Sequence, residues 1–127
     1  MKDKKKNNYS ESELQEFKDI INKKLDDAKD ELNYYQKQIV KYSEKMVESR
    51  SSGLDDGSGT LEKESLNKMA SRFVKYIQHL ENALIRIENK TYGICRETGE
   101  LISRERLRVV PHTTLSIAAK KAKRNEK

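Results

Sequence analysis

The stretch Tyr9-Ser10-Glu11-Ser12-Glu13-Leu14, followed by apolar side chains at Phe17, Ile21, Leu25, Ala28, Leu32, Tyr35, Ile39, Tyr42 and Met46, decides the architecture of this chain. From Leu14 onward the steps alternate almost strictly between three and four residues. Only a helix gathers residues so spaced onto one face, and a period near 3.5 marks a coiled-coil seam. The opening residues are a helix start. Ser10 as N-cap accepts from the N–H of Glu13, Glu13 reaches back to the N–H of Ser10, and Tyr9 and Leu14 bracket the pair as a hydrophobic staple. About 40 residues of helix span about 60 Å at 1.5 Å per residue.

The seam stops at Ser49-Arg50. Ser51-Ser52-Gly53-Leu54-Asp55-Asp56-Gly57-Ser58-Gly59 follows and reads as a loop over 51–59, its glycines and serines being turn formers. Thr60 is then the expected N-cap of a second helix, with Glu62 and Glu64 near its positive end. A second seam runs Leu66, Met69, Phe73, Ile77, Leu80, Leu84, Ile87 and fades at Asn89-Lys90. Neither helix hides its stripe alone, and the short connection favours an antiparallel hairpin over residues 10–90. The seam residues are then core. Dimerisation through the same seam is the alternative.

After Thr91 the pattern changes. Tyr92 to Ile102 reads as a short β-hairpin turned around Glu97-Thr98-Gly99-Glu100. Ser103 caps a short turn through Leu107, and Pro111 opens a new segment. Thr113 or Thr114 caps a last helix that dissolves into the basic run after Lys120. Residues 91–120 thus form a small globular segment, with 121–127 a basic tail and 1–9 disordered. Ile94, Leu101, Ile102, Leu107, Val109, Leu115 and Ile117 are its expected miniature core. So short a segment does not bury enough surface to stand alone, so it is expected to pack near Leu80, Leu84 and Ile87.

Composition agrees with a mainly α chain of one domain. Charged residues make up 38% of the 127 and hydrophobic residues 34%, too few apolar groups for a large spherical core. One cysteine excludes an intrachain disulfide and suits a reducing cytoplasm. No run approaches the length of a membrane span, and the Lys-rich start lacks a hydrophobic signal region. The formal charge of +6 sits at the ends: Arg104 to Lys127 carries eight Lys/Arg against two Glu. That reads as a solubilising tail or as a contact with phosphate. No nucleophile–base set, phosphate loop or metal cluster points to an enzyme, and the two histidines are isolated in sequence.

Tyr92-Gly93-Ile94-Cys95, Gly99, Ile102, Arg106-Leu107, Pro111 and Leu115-Ser116-Ile117 together resemble the C-terminal finger of the DksA/TraR family of bacterial transcription factors. The family's arrangement is a long antiparallel coiled-coil hairpin followed by a zinc finger, which matches the reading of residues 10–90. The resemblance implies a regulator that acts without catalysis. Its hairpin enters the secondary channel of RNA polymerase, acidic tip residues approach the active centre, and many members work with the alarmone ppGpp.

Carried over by position, Asp55 falls on a tip aspartate, and Asp56 is a substitute for the charge of the missing companion. Ser52 stands where the family has a second aspartate, and Gly57 where it has alanine. Two aspartates in a Gly/Ser loop are also ordinary turn formers. Arg106 falls on an arginine implicated in polymerase docking. Arg72 and Lys120 fall on basic positions of the alarmone site. Tyr76 stands there for an apolar residue and His79 for a lysine, which weakens attraction for phosphate. The four zinc-ligand positions hold Cys95, Thr98, Ser116 and Ala119. One thiolate cannot make a tetrahedral zinc site, and adding His79 or His112 matches no standard spacing. No metal or other cofactor is expected beyond ppGpp at the polymerase interface. Cys95 reads as a buried hydrophobe, with Thr98 and Ser116 exchanging metal bonds for hydrogen bonds.

The expected partner is RNA polymerase, with no sequence-specific DNA and no membrane. A monomer is expected, with the seam-mediated dimer as the other state. Two other readings stand beside it: a coiled-coil adaptor or oligomerisation module, and a weak nucleic-acid binder using the basic ends.

Overall fold

The computed structural model describes residues 8–51 and 58–125. Four helices occur in order: α1 Glu11–Ser51, α2 Ser58–Glu88, α3 Arg104–Val109 and α4 Ile117–Asn125. Two compact units are present. One joins the chain up to Leu25 with the chain from His79 onward, and the other is Asp26–Gln78.

The start of α1 is a closed capping box. The N–H of Ser10 donates to Glu13 Oε1 at 2.9 Å, and the N–H of Glu13 donates to Ser10 Oγ at 3.3 Å. The Ser10 N–H bond, the Ser10 hydroxyl and the Arg104 guanidinium outweigh burial and hold the Glu13 carboxyl down at about 2.

Within the Asp26–Gln78 unit the two helices run antiparallel. Tyr35 stacks on Phe73 with ring centroids 5.8 Å apart and planes at 22°. Further toward the loop, Tyr42 and Lys45 of α1 line one groove with Glu62 and Leu66 of α2. Ala28 is buried, and Leu32, Ile39, Met69 and Ile77 are half-buried along the seam, while intervening charged residues such as Lys37, Glu44, Glu62 and Arg72 are exposed. This thin pair of helices screens its seam only partly. The ends of the connection differ from expectation. α1 continues through Ser51, and α2 begins at Ser58, so Thr60 lies inside the helix. Spacing alone does not fix a helix end to the residue.

The other unit holds the densest core. Phe17, Ile21 and Leu80 are fully buried, with Leu14, Leu25 and Ala83 beside them. The finger segment seals this patch. Tyr92 is fully buried, its ring 5.5 Å from that of Phe17, and Tyr9 meets Phe17 edge-on at 5.4 Å and 72°. Both phenols find carbonyls, Tyr92 Oη at 2.8 Å from Pro111 O and Tyr9 Oη on Ile102 O. Burial pushes the Tyr92 phenol far above its ordinary value, which favours the protonated form that donates to Pro111 O. α2 hands the chain to the finger through a Schellman turn. Thr91 N–H bonds Arg86 O at 2.9 Å and Lys90 N–H bonds Ile87 O at 3.1 Å, with Lys90 at φ 64° where glycine is usual. Gly93 follows at φ +81°, and a Cβ there would sit 2.8 Å from two atoms of the Tyr9 ring. Glycine is therefore required for the close approach as well as for the dihedral.

The expected short β-hairpin is corrected. Among the described residues there is no strand, only one antiparallel bridge between Ile94 and Leu101. Cys95 N–H bonds Glu100 O at 2.8 Å and Ile102 N–H bonds Gly93 O at 2.7 Å. On the turn side of the bridge the backbone N–H groups of Glu97 and Thr98 are directed to the Cys95 sulfur rather than to a partner strand. Two expected core residues also prove exposed, Val109 at 74% and Ile117 at 51%. At about 100° per residue each lies roughly 200° round its helix from the residue that points inward, Leu107 in α3 and Ala119 in α4.

Candidate functional site

The four former ligand positions still converge, but through hydrogen bonds. Cys95 is fully buried. The Ser116 N–H lies 3.4 Å from its sulfur, and the Thr98 hydroxyl and the N–H groups of Thr98 and Glu97 also point at it. Thr98 in turn accepts from the N–H of Glu100 at 3.2 Å. Ser116, rather than Thr113 or Thr114, caps α4: its Oγ accepts from Ala119 N–H at 3.1 Å. Ala119 is buried. The loops close on each other through Arg96 N–H to Thr114 O at 2.9 Å.

Burial pushes the Cys95 thiol up, but the converging donors outweigh it and bring it down to about 6. A folded-state value below the ordinary 9.0 means the folded state binds its proton more weakly than the unfolded chain. The resulting stability is complete above about pH 9 and lost as pH falls through about 6. We expect the melting temperature of the protein to rise between those limits, and Cys95→Ala to flatten the rise. An unchanged slope in the variant would show that the thiolate carries none of it.

A cationic cavity of about 410 Å³ opens beside this knot. Its lining includes His79, Asn82 and Arg86 from α2, Arg96, Arg106 of α3, His112 and Lys120 of α4. Among the described residues no carboxylate lines it. The histidines, isolated in sequence, stack here with centroids 5.7 Å apart and planes at 11°. Arg86 is half-buried and donates to His112 O at 3.3 Å. Arg106 donates through Nε to Leu115 O at 2.9 Å and through Nη2 to Thr113 Oγ1 at 3.3 Å, so its fork also holds the 113–115 segment. Burial, followed by the charges of His79, Arg86, Lys24 and Arg106, lowers the pKa of His112.

The structure thus gathers His79, Arg106 and Lys120 in one cavity. Arg72 and Tyr76 belong to the Asp26–Gln78 unit, and Asp55 and Asp56 lie outside the described residues. Sequence reasoning missed Arg86, Arg96 and His112. A partial signal existed, since His79, Asn82 and Arg86 follow the i, i+3, i+7 spacing of one helical face.

Fold and site together define a class: a helical-hairpin protein capped by a finger whose metal ligands have been replaced by hydrogen-bonding and apolar groups. Residues 90–123 match the family model of the prokaryotic dksA/traR C4-type zinc finger. The chain is 29% identical over 119 residues to the RNA polymerase-binding transcription factor DksA of Caulobacter vibrioides, covering 90% of this chain and 84% of that one. It is 32% identical over 104 residues to general stress protein 16O of Bacillus subtilis, covering 76% of this chain and 61% of that protein. The structure of transcription factor DksA2 from Pseudomonas aeruginosa shares the fold, with a TM-score of 0.77 at 21% identity over 91% of this chain and 85% of that one. Residues 90–123 carry the DksA/TraR finger in a cysteine-poor form, and the chain is homologous along most of its length to an RNA polymerase-binding transcription factor of that family.

The family model's zinc does not fit these residues. Thr98, Ser116 and Ala119 leave Cys95 as the one thiolate, and among the described residues no group of three or more His, Cys, Asp or Glu is placed to hold a metal ion. Among the described residues no helix is long and apolar enough to cross a membrane.

Proposed function

We propose that this protein regulates transcription by binding RNA polymerase, with its helical hairpin entering the secondary channel. The observation that carries this reading is the likeness to an RNA polymerase-binding transcription factor along most of both chains. A narrow antiparallel helix pair suits a channel because it carries charge inward on a small cross-section. Asp55 and Asp56, in the connection between α1 and α2, act at the polymerase active centre, where carboxylates engage metal ions or basic side chains. Arg106 contributes to docking. The cationic cavity takes the phosphates of ppGpp through His79 and Lys120.

The test is retention of the protein on immobilised RNA polymerase, coupled to transcription in vitro with and without ppGpp. Wild-type protein is retained and changes initiation. Asp55→Asn with Asp56→Asn loses the effect, and Arg106→Ala weakens retention by about tenfold, the size of one lost charge-assisted contact. No retention of the wild type sinks the proposal. Steeply salt-dependent binding to DNA alone then favours the nucleic-acid reading. A concentration-dependent dimer without polymerase affinity favours the adaptor.

A further inference from the structure

The lining of the cavity has a property that phosphate attraction alone does not require. Two imidazoles lie stacked among fixed cations, and one of them is half-enclosed. The charges that act most strongly on His112 are basic: His79 and Arg86 from α2, Lys24 from α1, and Arg106 from α3. Arg96 and Lys120 complete the wall. A proton added to the pair meets predominantly like charge, and burial disfavours it further at His112. An anion seated among the same groups reverses that balance, because its charge compensates the imidazolium and accepts its N–H.

We propose that anion binding in this cavity is proton-coupled: an anion held by Arg86, Arg96, Arg106 and Lys120 draws a proton from solvent onto the stacked His79–His112 pair. The inference deepens the ligand part of the proposed function and rests on it. Reciprocity follows from linkage. Acid conditions favour the loaded site, and loading makes the pair more basic. The lysine expected by the family pattern at position 79 keeps its charge at neutral pH and has no such response. Replacing it by histidine makes ligand affinity depend on pH in the physiological range.

The probe is sulfate, whose own charge is constant across this range, followed by nuclear magnetic resonance of the two imidazoles in the full chain. Sulfate raises the apparent pKa of at least one histidine. Its affinity falls at least about fivefold from about pH 5.5 to about pH 7.5, below the hundredfold limit for uptake of one whole proton. His79→Gln, at an exposed position, reduces the pH dependence while sulfate still binds, and His112→Gln does the same where circular dichroism shows it folded. Sulfate binding with no change in either imidazole overturns the proposal and leaves the anion site. No sulfate binding at any pH overturns both the coupling and the ligand part of the proposed function. Intact coupling without polymerase retention removes the polymerase reading alone.

Discussion

Phe17→Ala lowers the stability of the protein by about 3–5 kcal/mol, the range for removing a fully enclosed aromatic from a core that does not collapse around the gap. Phe17 is the residue on which three parts of the chain meet. Its ring is fully buried, with Tyr9 edge-on at 5.4 Å and Tyr92 tilted at 5.5 Å. Each aromatic pair adds about 0.5–1.5 kcal/mol beyond its buried area. Collapse is hindered because both tyrosines are tethered, Tyr9 to Ile102 O and Tyr92 to Pro111 O. In urea titrations the midpoint falls and the near-ultraviolet dichroism of the tyrosines weakens. Phe73→Ala is the internal comparison. Phe73 occupies an equivalent seam position in α2, but it is half-buried and has one aromatic neighbour described, Tyr35. Its loss is smaller. Equal losses would mean that the finger adds nothing to the packing of Phe17.

The difference between those two phenylalanines also marks how far the sequence could be read. Both seams were legible, because a period near 3.5 is a property of each helix alone. The caps at Ser10 and Ser103 were legible for the same reason: donor and acceptor lie three residues apart. Nothing local distinguishes Phe17 from Phe73. What buries Phe17 is Tyr92, brought in from the far end of the chain. The short hairpin was misread because Ile94 and Leu101 flank a Thr98-Gly99 turn as strand residues would, while the inward pull of the Cys95 sulfur on neighbouring N–H groups is invisible to alternation. The cavity was half legible. His79, Arg106 and Lys120 came from the family resemblance, but Arg86, Arg96 and His112 join them only after α2, α3 and the 95–99 turn have been assembled. The ion pairs that the finger and the turn before it make with the start of α1 are likewise long-range: Arg104 with Glu13, Arg108 with Glu16 at 3.0 Å, and Lys90 with Glu11 at 3.2 Å. At about 0–1 kcal/mol each, such exposed pairs orient the finger more than they hold it.

Truncation after Lys90 tests whether the finger is a passenger or a structural part of the unit it joins, and the expected cost is about 5 kcal/mol or more. Removing Tyr92, Ile102, Leu107 and Pro111 takes four of the largest fully buried side chains from a unit whose others include Phe17, Ile21 and Leu80, and uncovers the Phe17 ring that Tyr92 packs on. Full exposure of such side chains costs about 1.5–3 kcal/mol each, and that sum is comparable to the whole stability of a small domain. Tyr9 loses its acceptor at Ile102, and Gly93 no longer seats its ring. Hydrogen exchange should therefore accelerate in residues 11–25 and 79–88, where the uncovered seam lies. The finger depends on this contact in turn. With one thiol, and a helix cap in place of a second, it has no metal to fix its fold, and its largest buried side chain, Tyr92, packs on Phe17. A peptide of residues 91–125 is expected to be unfolded with or without zinc, as judged by circular dichroism. Helices that melt unchanged after truncation, or a peptide that folds alone, would show that the lost zinc was compensated within the finger. Loss of structure on both sides of the cut shows that it was compensated by docking.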